Sequence, residues 1–247
     1  MITSSDLKRR FEEHFMRVWR CPNFPRVNSE EKKGCKEWKV KDIWIPDLSY
    51  FRPWGGFLGN NYKGILIVGG SPSAKGIKRK GEKTHGKSIS EERDRKAFEE
   101  TEKFVNGQKG FEDLMDYYKS EWIPRWGNVL IAKLAKKGLI DCVAYVPLLC
   151  CRCVKEDKSG YRNYNVWEDP SLIEPCKGYF KEAVKILDPK RIVGMWTQLK
   201  VISASLEELM EGRKIDDFWK GRGSEKKGTH NYEVMEKIHR WCKDPAT

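Results

Sequence analysis

The sequence predicts an α/β protein: a three-layer α/β/α fold around a central, mostly parallel sheet. Three observations carry this. Short, nearly unbroken apolar runs at 64–68, 142–149 and 191–196 read as strands buried on both faces. Stretches of helical period lie between them. Strands alternating with helices build a parallel sheet, and right-handed connections cover both of its faces. With 247 residues, one domain spanning 1–247 is expected.

The elements follow in order. Leu7, Phe11, Phe15 and Val18 share one face of a helix over about Ser5–Val18, capped by Ser4 or Ser5. Residues 19–60 then carry Pro22, Pro25, Gly34, Pro46, Pro53, Gly55 and Gly56. A stretch so long and irregular needs something to pin it. The run "GILIV" is the first strand, and a glycine-rich turn and a basic loop, "AKGIKRKGEKTHGKS", follow it. Helices are predicted at "SEERDRKAFEETEKFV", with Ser90 as N-cap, at "FEDLMDYYKSEW", and at "NVLIAKLAKKG", which ends on Gly138. "CVAYVPLL" is the second strand, "SLIEPCKGYFKEAVKIL" a helix with Pro175 near its start, and "RIVGMW" the third strand. "LKVISASLEELMEG" and "NYEVMEKIHRWC" close the chain as helices.

Lys and Arg number 48 against 36 Asp and Glu, a net charge of +12. Such an excess suits a polyanionic partner, DNA in single- or double-stranded form first. A basic enzyme with no nucleic acid is the other reading. Lys and Glu are abundant together, as in proteins of hot environments. No run reaches the roughly 18 apolar residues of a membrane helix, and the charged N-terminus has no apolar signal core. A cytoplasmic monomer, away from membranes, is expected.

Eight cysteines in such a chain argue against a disulfide framework. Cys142, inside a strand, reads as a small buried hydrophobe. Others sit among Pro, Arg and Lys, where packing does not explain them, and invite a metal or iron–sulfur reading.

Three stretches resemble the uracil-DNA glycosylases of the fourth and fifth families, which carry an iron–sulfur cluster. "YFRPWGGFLGNNYKGILIVGGSPSAKG" is similar to their first active-site region, "CVAYVPLLCCRC" to the strand that ends in a Cys-Arg loop, and "SLIEPCKGYFKEAVKILDPKRIVGMW" to the Glu-x-x-x-x-Cys helix and the strand after it. The resemblance runs in order over about Phe15–Leu206. It implies a [4Fe–4S] cluster held by Cys21, Cys35, Cys151 and Cys176, with residues 19–60 as the cluster-binding region. Cys151 is preferred over Cys150 and Cys153 because Arg152 follows it. The wide Cys21–Cys35 spacing and the insertion "VKEDKSGYRNYNVWEDP" depart from the family, and a zinc site or plain buried thiols are the other readings.

The resemblance also implies excision of a deaminated or damaged base by hydrolysis of its N-glycosidic bond, as a step of DNA repair. Such enzymes flip the base into a pocket and read its edge. Gly69, Gly70, Ser71, Pro72, Ser73 and Lys75 would line that pocket. Gly70 stands where the fourth family has a working glutamate, Lys87 where the fifth has an aspartate, Thr84 where a ring would stack, and Pro147 where an asparagine reads the base. Lys87, His85 and His230 are the candidate catalytic residues. A lysine cannot do an aspartate's electrostatic work at a cationic transition state. It could attack the sugar as an amine, or simply contact a phosphate. Two readings beside excision follow: an iron–sulfur protein that binds nucleic acid without cutting it, and an enzyme for another nucleotide substrate.

Overall fold

Five short strands form the central sheet of the computed structural model. The structure describes residues 3–24, 35, 43–44, 52–70, 89–126, 129–151, 153–157, 160–163, 166, 169–221 and 225–244. The strands are β1 (Ile43–Trp44), β2 (Phe57–Leu58), β3 (Ile65–Gly69), β4 (Val143–Pro147), β5 (Val154–Asp157), β6 (Gly160–Asn163), β7 (Arg191–Gly194) and β8 (Asp217–Phe218). The α-helices are α1 (Ser4–Trp19), α2 (Ile89–Val105), α3 (Phe111–Tyr117), α4 (Leu130–Lys136), α5 (Lys177–Leu187), α6 (Ser203–Leu209) and α7 (His230–Lys243).

The central sheet has the order β2-β4-β3-β7-β8. Its β4-β3-β7-β8 pairs are parallel and β2 is antiparallel to β4. The result is an α/β fold compatible with three layers. Strand β3 lies at the centre because Ile65, Leu66, Ile67 and Val68 are apolar on both faces, and all four are fully buried. By the right-handed rule for parallel strands, the strand order assigns the β3–β4 connection and the β4–β7–β8 connections to opposite faces; among the helices of the latter, α5 and α6 pack together. A small second sheet, β1-β5-β6, is antiparallel throughout.

Helix α1 buries Phe11, His14, Phe15 and Val18 and packs on α5. Its cap is Thr3, whose hydroxyl accepts from the Asp6 amide at 3.2 Å, rather than Ser4 or Ser5. His14 Nδ1 meets Glu182 on α5 at 3.0 Å, and Arg17 joins the same carboxylate.

Several expected elements are divided. The helix expected at 171–187 becomes a 3-10 turn, Pro170–Cys176, followed by α5. Pro175 has no N–H to continue an α ladder, and Asp169 caps the turn by accepting from the Ser171 amide at 3.0 Å. The helix expected at 111–122 changes into a π turn at Tyr118–Trp122 and a 3-10 turn at Ile123–Trp126, where Pro124 imposes the same loss. The helix expected at 199–212 starts as a 3-10 turn, Thr197–Ile202, before α6. Strand β8 and the β5–β6 hairpin were not expected. The first is too short to show a period, and the second lies in the insertion that departs from the family.

Candidate functional site at the carboxyl ends of the strands

Parallel sheets bind ligands where neighbouring strands send their connections to opposite sides. Here that point falls between β3, which leads towards β4, and β7, which leads towards β8. Gly69 ends β3 and Gly70 follows it, and Gly194 ends β7. The glycine turn read from the sequence therefore opens at the switch point of the sheet.

The backbone there is tightly tied. Pro147 has no N–H and ends β4 opposite Gly69. Beyond it, the Leu148 amide donates to the Gly69 carbonyl and the Leu149 amide to the Gly70 carbonyl, each at 2.9 Å. The Met195 amide donates to the Val68 carbonyl at 2.8 Å. The strand ends thus form one rigid floor.

A phenol enters this floor. Tyr145 on β4 pairs in register with Ile67, yet its ring reaches two residues further, to Gly69. A side chain at position 69 would lie 2.6 Å from Tyr145 Cζ and nearer still to Oη. Tyr145 is fully buried. Trp54 stacks on it with centroids 5.4 Å apart, and Trp126 meets it edge-on at 5.8 Å. Trp54 is 5% exposed and belongs to the core. Its backbone amide donates to the Cys150 carbonyl at 2.8 Å, which links the aromatic floor to the cysteine loop.

Asp94 lies near the start of α2. Asp94 is buried beside Arg93, with Nη2–Oδ1 at 2.6 Å, and accepts from Trp122 Nε1 at 3.0 Å. Arg93 also donates to the Arg125 carbonyl at 3.0 Å. The pair ties α2 to the turns that carry Trp122 and Trp126.

Several cysteines gather around Cys150 and Cys151. Cys21 follows α1 in a turn closed by the Phe24 amide on the Cys21 carbonyl, 3.1 Å. Cys176 stands immediately before α5. The Cys176 thiol is pulled down by hydrogen bonds from the Cys150 thiol and backbone, against its burial. The same contact, with burial, raises Cys150. Burial raises Cys151, and Cys176, Cys35, Cys21 and Cys153 are near enough to add to that. Tyr179 reaches the Cys21 thiol. The four sequence-predicted thiols thus share one electrostatic neighbourhood with Cys150 and Cys153. Among the described residues, no three His, Cys, Asp or Glu side chains are already arranged around a single metal position. Beside Cys21 a groove of about 350 Å³ is lined by Trp19, Arg20, Phe24 and Arg52, among others.

His230 begins α7 at the carboxyl end of β8. Its Nε2 lies 2.6 Å from the Phe218 carbonyl and 3.4 Å from Asp217 Oδ1. Asn231 is buried and braces the chain before it, accepting from the Lys220 amide at 2.8 Å and donating to the Lys220 carbonyl at 3.1 Å. Ser71, Pro72, Ser73, Lys75, His85 and Lys87 lie outside the described residues. Tyr145 escaped the sequence reading; the signal was a phenol inside an otherwise aliphatic strand.

Comparisons with family models, with curated proteins and with solved structures each find no match to this chain. Among the described residues, no helix is long and apolar enough to cross a membrane.

Proposed function

We propose that this chain is an iron–sulfur protein of the uracil-DNA glycosylase type that seats a DNA base at the end of β3. The observation that carries the reading is the convergence of two features on one edge of the sheet. The glycine turn opens at the switch point, and the thiols of Cys21, Cys35, Cys150, Cys151 and Cys176 interact beside it. Trp54 joins them, packing on Tyr145 and bonding to Cys150.

The donor set suits a [4Fe–4S] cluster. Four thiolates are needed, and hydrogen bonding from Cys150 draws the Cys176 thiol down. Cys21, Cys35, Cys176 and one of Cys150 or Cys151 would hold the cluster. Bound there, it would cross-link the loop after α1 to β4 and α5 and could exchange an electron. The net charge of +12 supplies attraction to a nucleic-acid backbone, and Arg20 and Arg52 line the groove beside Cys21.

Excision of a deaminated or damaged base is the reaction that the resemblance implies, with Lys87, His85 and His230 as candidate participants. Gly70 favours a second reading, binding without excision. It follows β3 with no side chain, where the fourth family places its acid. Protein purified without oxygen should be brown, with iron and sulfide bound. It should shift oligonucleotides carrying uracil, hypoxanthine, xanthine or an abasic site. Strand cleavage after alkali at the uracil, hypoxanthine or xanthine position would select excision, and a shift without cleavage there would select binding. A colourless, iron-free, folded protein would remove the cluster, and absence of any shift would remove both DNA readings.

A further inference from the structure

The Tyr145 hydroxyl is left over among the polar groups of the described residues. It is fully buried, and among the described residues it has no hydrogen-bond partner. Buried phenols normally find one. Tyr118, in the same aromatic group and equally buried, shows the ordinary case: its hydroxyl lies 2.6 Å from Thr101 Oγ1.

Position and rigidity give the orphan hydroxyl a meaning. It is delivered along the sheet to Gly69, at the switch point where this architecture binds ligands. Trp54 and Trp126 hold the ring so that it cannot turn away. A residue with a side chain at 69 would collide with the phenol, so the glycine and the tyrosine are mutually required. Burial raises the phenol above its ordinary range, so it stays protonated and acts as a donor. The partner that such a group lacks is an acceptor oxygen.

We propose that Tyr145 donates a hydrogen bond to a carbonyl oxygen of the ligand at the end of β3, and so selects keto-bearing bases such as uracil and hypoxanthine. This rests on reading the strand-end turn as a base pocket. Tyr145 would be a specificity residue for that pocket, distinct from Lys87, His85 and His230.

The test is Tyr145→Phe, which removes one oxygen and keeps the ring. Affinities for a uracil-containing and an abasic oligonucleotide are compared by electrophoretic shift, and thermal midpoints are read by circular dichroism. The wild-type protein should prefer the uracil strand. Tyr145→Phe should lose about 3- to 10-fold of that preference, the worth of one neutral hydrogen bond. Its affinity for the abasic strand should be unchanged, and its midpoint equal or higher, since an unsatisfied group is gone. An unchanged preference overturns the proposal, and so does a lower midpoint with unchanged preference, which would mean that the hydroxyl holds only an ordered water. A wild-type protein that shifts no DNA fails the DNA reading instead. Tryptophan fluorescence titrated with free uracil, hypoxanthine and adenine then decides. Quenching by the two keto bases that weakens in Tyr145→Phe upholds the role of Tyr145, and quenching that is absent or equal in both proteins overturns it.

Discussion

Replacing Gly69 by alanine should be far more costly than its place at a strand end suggests. The new methyl would sit 2.6 Å from Tyr145 Cζ and 2.7 Å from Cε2, well inside van der Waals contact. The phenol cannot retreat, because Trp54 stacks on it at 5.4 Å and Trp126 closes the edge at 5.8 Å. Overpacking of a rigid core costs about 1–3 kcal/mol, and two ring carbons in collision argue for about 3. For a chain of this size that is roughly 6–12 °C of thermal midpoint. Far-ultraviolet circular dichroism on heating measures it, on Gly69→Ala, Tyr145→Ala and the double variant. Tyr145→Ala alone should cost about 3–5 kcal/mol through its cavity. The double variant should be more stable than the sum of the two, by about 2 kcal/mol, because each change removes the other's collision or void. A Gly69→Ala protein within about 0.5 kcal/mol of wild type, the spread of ordinary tolerated substitutions, would refute the packing described for β3 and β4. Strict additivity in the double variant would do the same.

Three further outcomes are expected. Hydrogen bonding from His14, helped by Arg17, pulls Glu182 down to about 2. Its folded value lies below its unfolded one, so its contribution is complete above about pH 4.5 and is lost as pH falls through about 2. The group is partly exposed, so Glu182→Gln should cost only about 1 kcal/mol at pH 7 and should flatten the acid limb of a stability–pH curve. Arg93→Met should cost about 3–5 kcal/mol by urea unfolding, because it leaves the buried Asp94 carboxylate without its guanidinium. Asn231→Ala removes both bonds to the Lys220 backbone; a loss of about 2 kcal/mol is expected, with faster hydrogen exchange at the Lys220 amide.

The legible part of the fold was the part built from repeated local signals. Ile65–Val68 is apolar at every position, so a strand buried on both faces followed without any tertiary information. The face of α1 was equally plain, since Phe11, Phe15 and Val18 recur at helical spacing. Pro175 was read as tolerable near a helix start, but the structure moves that start to Lys177. Strand β8 consists of two residues, and no periodicity exists in two residues. It forms because β7 presents a free parallel edge, a fact belonging to the sheet.

The candidate site divides along the same line. Residue types were given by the chain itself: a glycine pair after a strand, and cysteines spaced where packing did not demand them. Which of these meet was decided only on folding. Cys21 and Cys176 are far apart in sequence and come together because α1 packs on α5. Asp94, a charged residue near a helix start, is buried because Arg93 and Trp122 close on it. Tyr145 is one aromatic residue in a strand until β4 lies beside β3. Then the pairing of Tyr145 with Ile67 brings its hydroxyl to Gly69. Local sequence sets conformation through steric and hydrophobic period. It cannot set contacts whose loop-closure cost is met only when the whole core forms, and those contacts are the ones that make the site.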